Sequence, residues 1–128
     1  MNGLHLIADI YRCRAASELL VNRGRLETLC VEECREAGLT PLGAYFYQFL
    51  DEQGGDAGVT GTVVLAESHL AIHTWPETGD VTLDVYVCNF SRDNSERARQ
   101  VFQRVIDALA PDEIVQHEVI RGRAPVEA

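Results

Sequence analysis

Residues 66–88 read AESHLAIHTWPETGDVTLDVYVC, and the organisation of the whole chain is worked out from them. Val81, Leu83, Val85 and Val87 alternate with Thr82, Asp84, Tyr86 and Cys88, the period of a half-buried strand. Pro76-Glu77-Thr78-Gly79-Asp80 is a turn signal between this strand and the one before it. A hairpin centred near Thr78–Gly79 places Cys88 opposite His69 and beside Ser68, and His73 opposite Asp84. Along a straight strand Ser68 and His73 would be about 17 Å apart. Bringing the two together requires either a bend after Ser68 or a movement of that end of the strand.

Upstream, Val59 to Ala66 is a short β-branched strand, preceded by an acidic, glycine-rich loop from Asp51 to Gly58. Thr40 to Leu50, with Tyr45, Phe46, Tyr47 and Phe49, has strand composition. Ala15 to Ala37 places Leu19, Leu26, Leu29, Cys30 and Cys34 at helical spacing, ended by Gly38. Leu4 to Tyr11 alternates as a strand. Downstream, Asp93-Asn94-Ser95-Glu96 reads as a capping box opening a helix that carries Val101, Phe102, Val105, Ile106 and Leu109. Ala110-Pro111 stops that helix, Ile114 to Ile120 is a last strand, and Arg121 to Ala128 reads as a frayed tail. The expected fold class is α+β: an antiparallel sheet with two helices on one face. The uncovered face calls for a second copy of the chain, dimerising through or beside the sheet.

At 128 residues the chain is expected to be a single domain, 1–128, with 46% hydrophobic and 24% charged residues. A net charge of −9 argues against nucleic acid, which favours a basic face. It suits a cationic substrate, or simply solubility. No signal peptide and no apolar run of the ~20 residues needed to span a bilayer is visible. Cys13, Cys30, Cys34 and Cys88 form no CxxC pair, so a reduced, cytoplasmic protein is expected.

The chain has no lysine; its positive charge is eleven arginines. Pyridoxal phosphate is ordinarily held through a lysine Schiff base, which this chain cannot form. A serine converted to a pyruvoyl group would supply a carbonyl without lysine or any bound cofactor, and Glu67-Ser68-His69 offers the serine. His69 and His73 form an HxxxH pair, but the β-rich setting and the lack of a third nearby ligand argue against a metal. No phosphate-binding glycine loop is present.

GTVVLAESHLAIHTWPE, followed by VTLDVYVC, resembles the bacterial S-adenosylmethionine decarboxylase proenzyme family, and the likeness runs from LHLIADIY to the strand ending near Arg121. The resemblance implies a zymogen that cuts itself between Glu67 and Ser68, giving chains 1–67 and 68–128. Ser68 would become the pyruvoyl group that forms a Schiff base with the substrate amine. His73 would serve the processing step, and Cys88 would be the acid that reprotonates the substrate α-carbon after CO2 leaves. Thr60 would assist cleavage, Trp75 and Phe49 would stack on adenine, and Glu77 would bind the ribose hydroxyls. The product would be the decarboxylated aminopropyl donor for spermidine synthesis.

Two features depart from the family pattern: Tyr47 stands where a histidine is familiar, and the loop from Asp51 to Gly58 is longer than usual. Carboxylates at Asp51, Glu52 and Asp56 would suit arginine or ornithine, decarboxylated on the same scaffold. Stacking between two rings contributes on the order of 1–3 kcal/mol. An exposed carboxylate gives under about 1 kcal/mol. On that comparison S-adenosylmethionine is the expected substrate. A third reading is a non-processing regulatory homologue, against which stand Ser68, His73 and Cys88.

Overall fold

A computed structural model describes residues 1–14 and 17–123. Six strands form one antiparallel sheet: β1 (Asn2–Cys13), β2 (Pro41–Leu50), β3 (Asp56–Leu65), β4 (Ser68–Trp75), β5 (Asp80–Cys88) and β6 (Pro111–Gly122). Their spatial order is β2-β3-β4-β5-β1-β6, so β2 to β5 run as consecutive hairpins and the N-terminal strand inserts between β5 and β6. Helices α1 (Ser17–Val21) and α2 (Arg23–Glu36) connect β1 to β2, and α3 (Ser95–Leu109) connects β5 to β6. The α+β architecture with helices on one sheet face is the expected one.

Strand alternation sorts the side chains. Leu4, Leu6, Ala8 and Ile10 of β1 face the helices with Leu70 and Ile72 of β4 and Val81, Leu83, Val85 and Val87 of β5, all buried. They pack with Leu26, Cys30 and Cys34 of α2 and Val101, Val105, Ile106 and Leu109 of α3 in one continuous core. Gly61 belongs to this layer because the Phe46 ring lies over it; a Cβ there would meet the ring at 2.2 Å.

Several expected boundaries shift. The helix expected over Ala15–Ala37 is two helices: Asn22 is extended, and its side chain accepts a hydrogen bond from Arg25 N–H at 3.0 Å, capping α2. Ala15 and Ala16 lie outside the described residues. The loop expected over Asp51–Gly58 is shorter, because β3 already begins at Asp56. Asp51 closes it by accepting N–H bonds from Gln53 at 2.9 Å and Gly55 at 2.8 Å. The capping box is not formed as read. Asn94 is the N-cap, Asp93 accepts from Ser95 N–H, and the Glu96 carboxylate pairs with Arg99. The tail expected from Arg121 starts later, since β6 continues to Gly122 and pairs with Asn2 and Gly3; residues 124–128 lie outside the description.

The β4–β5 turn also differs, by one residue. Trp75 pairs with Asp80, and Thr78 and Gly79 N–H groups donate to Trp75 O at 3.2 and 2.9 Å, so the turn centres between Glu77 and Thr78. Gly79, at φ +75°, supplies the left-handed residue that closes it. His69 therefore faces Tyr86 rather than Cys88, and His73 faces Thr82 rather than Asp84.

Candidate active site

Most chemistry-bearing side chains collect on the sheet face that no helix covers. Thr60, His69, His73, Asp84, Tyr86, Cys88 and His5 all have the strand parity opposite to the core layer. They fall into three groups, one at each end of β4 and one between.

The first group surrounds Ser68. A two-residue turn, Ala66-Glu67, joins β3 to β4, and Glu67 adopts φ +65°. That left-handed conformation costs a side-chain-bearing residue about 1–2 kcal/mol, and it lies on the carbonyl side of the Glu67–Ser68 peptide. The Cys88 backbone N–H donates to Ser68 Oγ at 3.1 Å. Cys88 itself is nearly buried, and its carbonyl accepts from Asn94 Nδ2 at 3.1 Å. Asn89 Oδ1 in turn accepts from the Asn94 N–H at 2.8 Å, so the residues following Cys88 are fixed by the start of α3. Beside the turn is a cleft of about 220 Å3 lined by Ala66, Glu67, Arg92 and Asn94. The nearness of Ser68 and Cys88 expected from the hairpin survives the register shift.

The second group lies towards the other end of β4. A cavity of about 360 Å3 is lined by Phe49, Thr60, His73, Trp75 and Glu77, together with backbone near Gly58. This is within the ~300–1,000 Å3 of small-molecule sites. Thr60 and His73 are cross-strand neighbours, and Thr60 Oγ1 lies 3.1 Å from His73 Nδ1. That bond leaves His73 Nε2 as the ring atom free to exchange a proton, since no hydrogen bond engages it among the described residues. The His73 and Trp75 ring centroids are 6.4 Å apart. Tyr47, paired with Thr60 across β2–β3, packs edge-on against Phe49 at 5.0 Å. Asp51 and Glu52 do not line this cavity. Asp56 lies on a different one, with Asn22, Arg23 and Gln48.

The two groups do not meet within one chain. β4 is unbroken from Ser68 to Trp75, so of the two alternatives left open by the sequence the bend after Ser68 is absent. The two ends are separated by about 17 Å of extended strand.

Sequence reasoning missed a third cluster between them. Asp84 Oδ2 lies 2.9 Å from His5 Nε2 and 3.3 Å from His69 Nε2, with Tyr86 packed edge-on to His5 and tilted against His69. The signal was the parity of His5 in β1 and Asp84 in β5, but joining them to His69 requires the strand order β4-β5-β1. His69 and His73 make different contacts and do not converge on one point.

Comparison with known proteins identifies the family. The family described as S-adenosylmethionine decarboxylase matches residues 4–122. A relative named S-adenosylmethionine decarboxylase proenzyme from Thermoplasma acidophilum is 37% identical over 120 residues, covering 94% of this chain and 83% of its own. One of that name from Archaeoglobus fulgidus is 32% identical, covering 94% of this chain and 97% of its own. The crystal structure of the adenosylmethionine decarboxylase from Aquifex aeolicus superposes with a TM-score of 0.84 at 32% identity, over 98% of this chain and 95% of that one. The relatives are archaeal as well as bacterial, so the bacterial restriction of the expected family falls away. The chain belongs to the S-adenosylmethionine decarboxylase family.

Proposed function

We propose that this chain is a self-processing, pyruvoyl-dependent decarboxylase of S-adenosylmethionine, acting in the cytoplasm as a homodimer of single-domain protomers. The single observation that carries the reading is the serine after the strained Glu67 turn, held by the Cys88 N–H.

In the precursor, Ser68 Oγ attacks the Glu67 carbonyl carbon; the amide C–N bond breaks and an ester forms. The Cys88 N–H donates to this oxygen, which holds Oγ in place, and it can stabilise the charge that Oγ takes on when it later leaves as a carboxylate oxygen. Loss of the Ser68 α-proton to a base then expels Oγ as part of the new Glu67 carboxylate. Water releases ammonia from the dehydrated residue and leaves a pyruvoyl cap on chain 68–128. Serine, positive-φ turn and adjacent thiol fit that group. Once formed, the pyruvoyl carbonyl supplies the electron sink that decarboxylation of an α-amino acid requires. Cys88 Sγ delivers the proton that restores the substrate α-carbon.

His73 Nε2, oriented through Nδ1 by Thr60, suits the proton transfers of processing. It cannot reach Ser68 of its own chain, which is where the dimer enters. Tyr45, Tyr47, Val64, Trp75, Val115 and Val119 leave 40–73% of their surface exposed on the uncovered face, an unusual apolar expanse for a lone protomer. On this reading two such faces pack about a two-fold axis, and the partner supplies His73, Phe49, Trp75 and Glu77 to the end of the sheet that carries Ser68 and Cys88. Each complete site then draws on both chains.

The cavity lining favours the nucleoside substrate. Phe49 and Trp75 offer flat faces for a purine and Glu77 accepts from ribose hydroxyls, while Asp51 spends its carboxylate on its own loop. CO2 release from carboxyl-labelled S-adenosylmethionine, arginine and ornithine, offered separately to cleaved protein, tests the choice. Turnover is expected with the first alone. Release from arginine or ornithine and none from S-adenosylmethionine would overturn the substrate and keep the mechanism.

A further inference from the structure

We propose that His69, Asp84 and His5 are positioning residues that hold the newly made chain start in place after self-cleavage; the inference rests on the proposed cut between Glu67 and Ser68. Before the cut, residue 68 is held by its peptide bond to Glu67 and by the Cys88 N–H bond to its Oγ at 3.1 Å. Processing removes both restraints. The C–N bond breaks, and Oγ leaves as an oxygen of the Glu67 carboxylate, taking the electron pair of its bond to Cβ. The residue that must present a reactive carbonyl becomes the first of a free strand end, and such ends fray unless tied down.

The first side chain able to tie it is His69, one Cα step of about 3.8 Å away. His69 Nε2 lies 3.3 Å from Asp84 Oδ2, and His5 Nε2 lies 2.9 Å from the same oxygen. The three residues stand on β4, β5 and β1, adjacent strands, so the tie fastens the start of β4 to the middle of the sheet. Tyr86 packs between the two imidazoles at ring distances of 5.7 and 5.8 Å. The Arg121 guanidinium closes the cluster from β6, 4.9 Å from the Tyr86 ring centroid. Neither His5 nor Asp84 is needed to make or break a bond in the proposed chemistry. Their convergence on His69 is accounted for by this anchoring.

The test compares His69→Ala, Asp84→Asn and the double variant with wild type. Three readouts are followed: cleavage by intact mass, kcat and KM for S-adenosylmethionine, and hydrogen exchange at residues 69–72. Cleavage should go to completion in all three, because the uncut chain still holds residue 68 covalently. KM should stay close to wild type while kcat falls by about 10- to 100-fold, the scale of an ångström-sized misplacement. The double variant should be no worse than the singles, since all break one tie. His69→Gln, which keeps a donor, should recover part of kcat. Exchange at 69–72 should rise in the cut variants and not when His69→Ala is placed in an uncut Ser68→Ala chain.

Wild-type kcat in His69→Ala or Asp84→Asn would overturn the anchor, as would equal exchange in cut and uncut chains. A chelator should leave wild-type kcat unchanged. Activity lost on chelation and restored by Zn2+ would make the cluster a metal site instead. A wild-type chain that is never cut defeats the parent reading and this inference with it, whereas a cut chain whose kcat is untouched by these substitutions defeats this inference alone.

Discussion

At the residue scale, Cys88 and His73 are given separate work by geometry as well as chemistry. Cys88 touches Ser68 through its backbone N–H, and this contact does not depend on its side chain. Cys88→Ala should therefore still be cut, yet release CO2 slowly or misprotonate the product and inactivate the pyruvoyl group. His73→Ala should accumulate uncut or ester-linked protein, seen by intact mass. Equal loss of cleavage in both would contradict the division. The Ser68–Cys88 pair was legible from the sequence because a hairpin converts local spacing into proximity, and a one-residue error in the turn does not undo it. The His5–Asp84–His69 cluster was not, since β1 reaches β5 only through the global strand order. Asn94 was read as an interior member of a capping box; as the actual N-cap it also fixes the Cys88 carbonyl.

At the scale of elements, the hydrophobic spacing found the first helical region but not its break at Asn22, because the apolar face continues on both sides of the cap. Replacing that cap with alanine should destabilise the protein by about 1 kcal/mol in urea unfolding. An unchanged midpoint would mean the α1–α2 break is held by packing alone. Gly61→Ala tests the β2–β3 pair more severely. The Phe46 ring would have to move, at a cost of about 1–3 kcal/mol. On α2, burial pushes the Cys34 thiol up to about 12 and the Cys30 thiol higher still. Since only the thiolate is nucleophilic, iodoacetamide should leave both unmodified in the folded protein and alkylate them after denaturation. The turn after Trp75 was misjudged by one residue because Thr78 and Gly79 both suit a turn. Only the hydrogen bonds to Trp75 O fix where it closes.

For the whole molecule, the sheet with one covered face was legible from composition and periodicity. The separation of the catalytic groups along β4 was anticipated as a distance but left without a cause. The proposed dimer offers one: each protomer would carry two half-sites for a partner to complete. Co-expressing Ser68→Ala with His73→Ala should then produce mixed dimers with one complete site. In these the His73→Ala chain is cut by the partner's His73. Failure of the His73→Ala chain to be cut in the mixture, with dimers present, would contradict shared sites.

No helix among the described residues is long and apolar enough to cross a membrane. The central claim, self-cleavage before Ser68, is decided by one measurement. That measurement is the intact mass of the folded, then denatured, wild-type protein. Two chains are predicted, residues 1–67 and residues 68–128, the second lighter by one ammonia than a chain beginning with serine. A single full-length mass from folded protein, or a second chain with the mass of an N-terminal serine, would contradict the account.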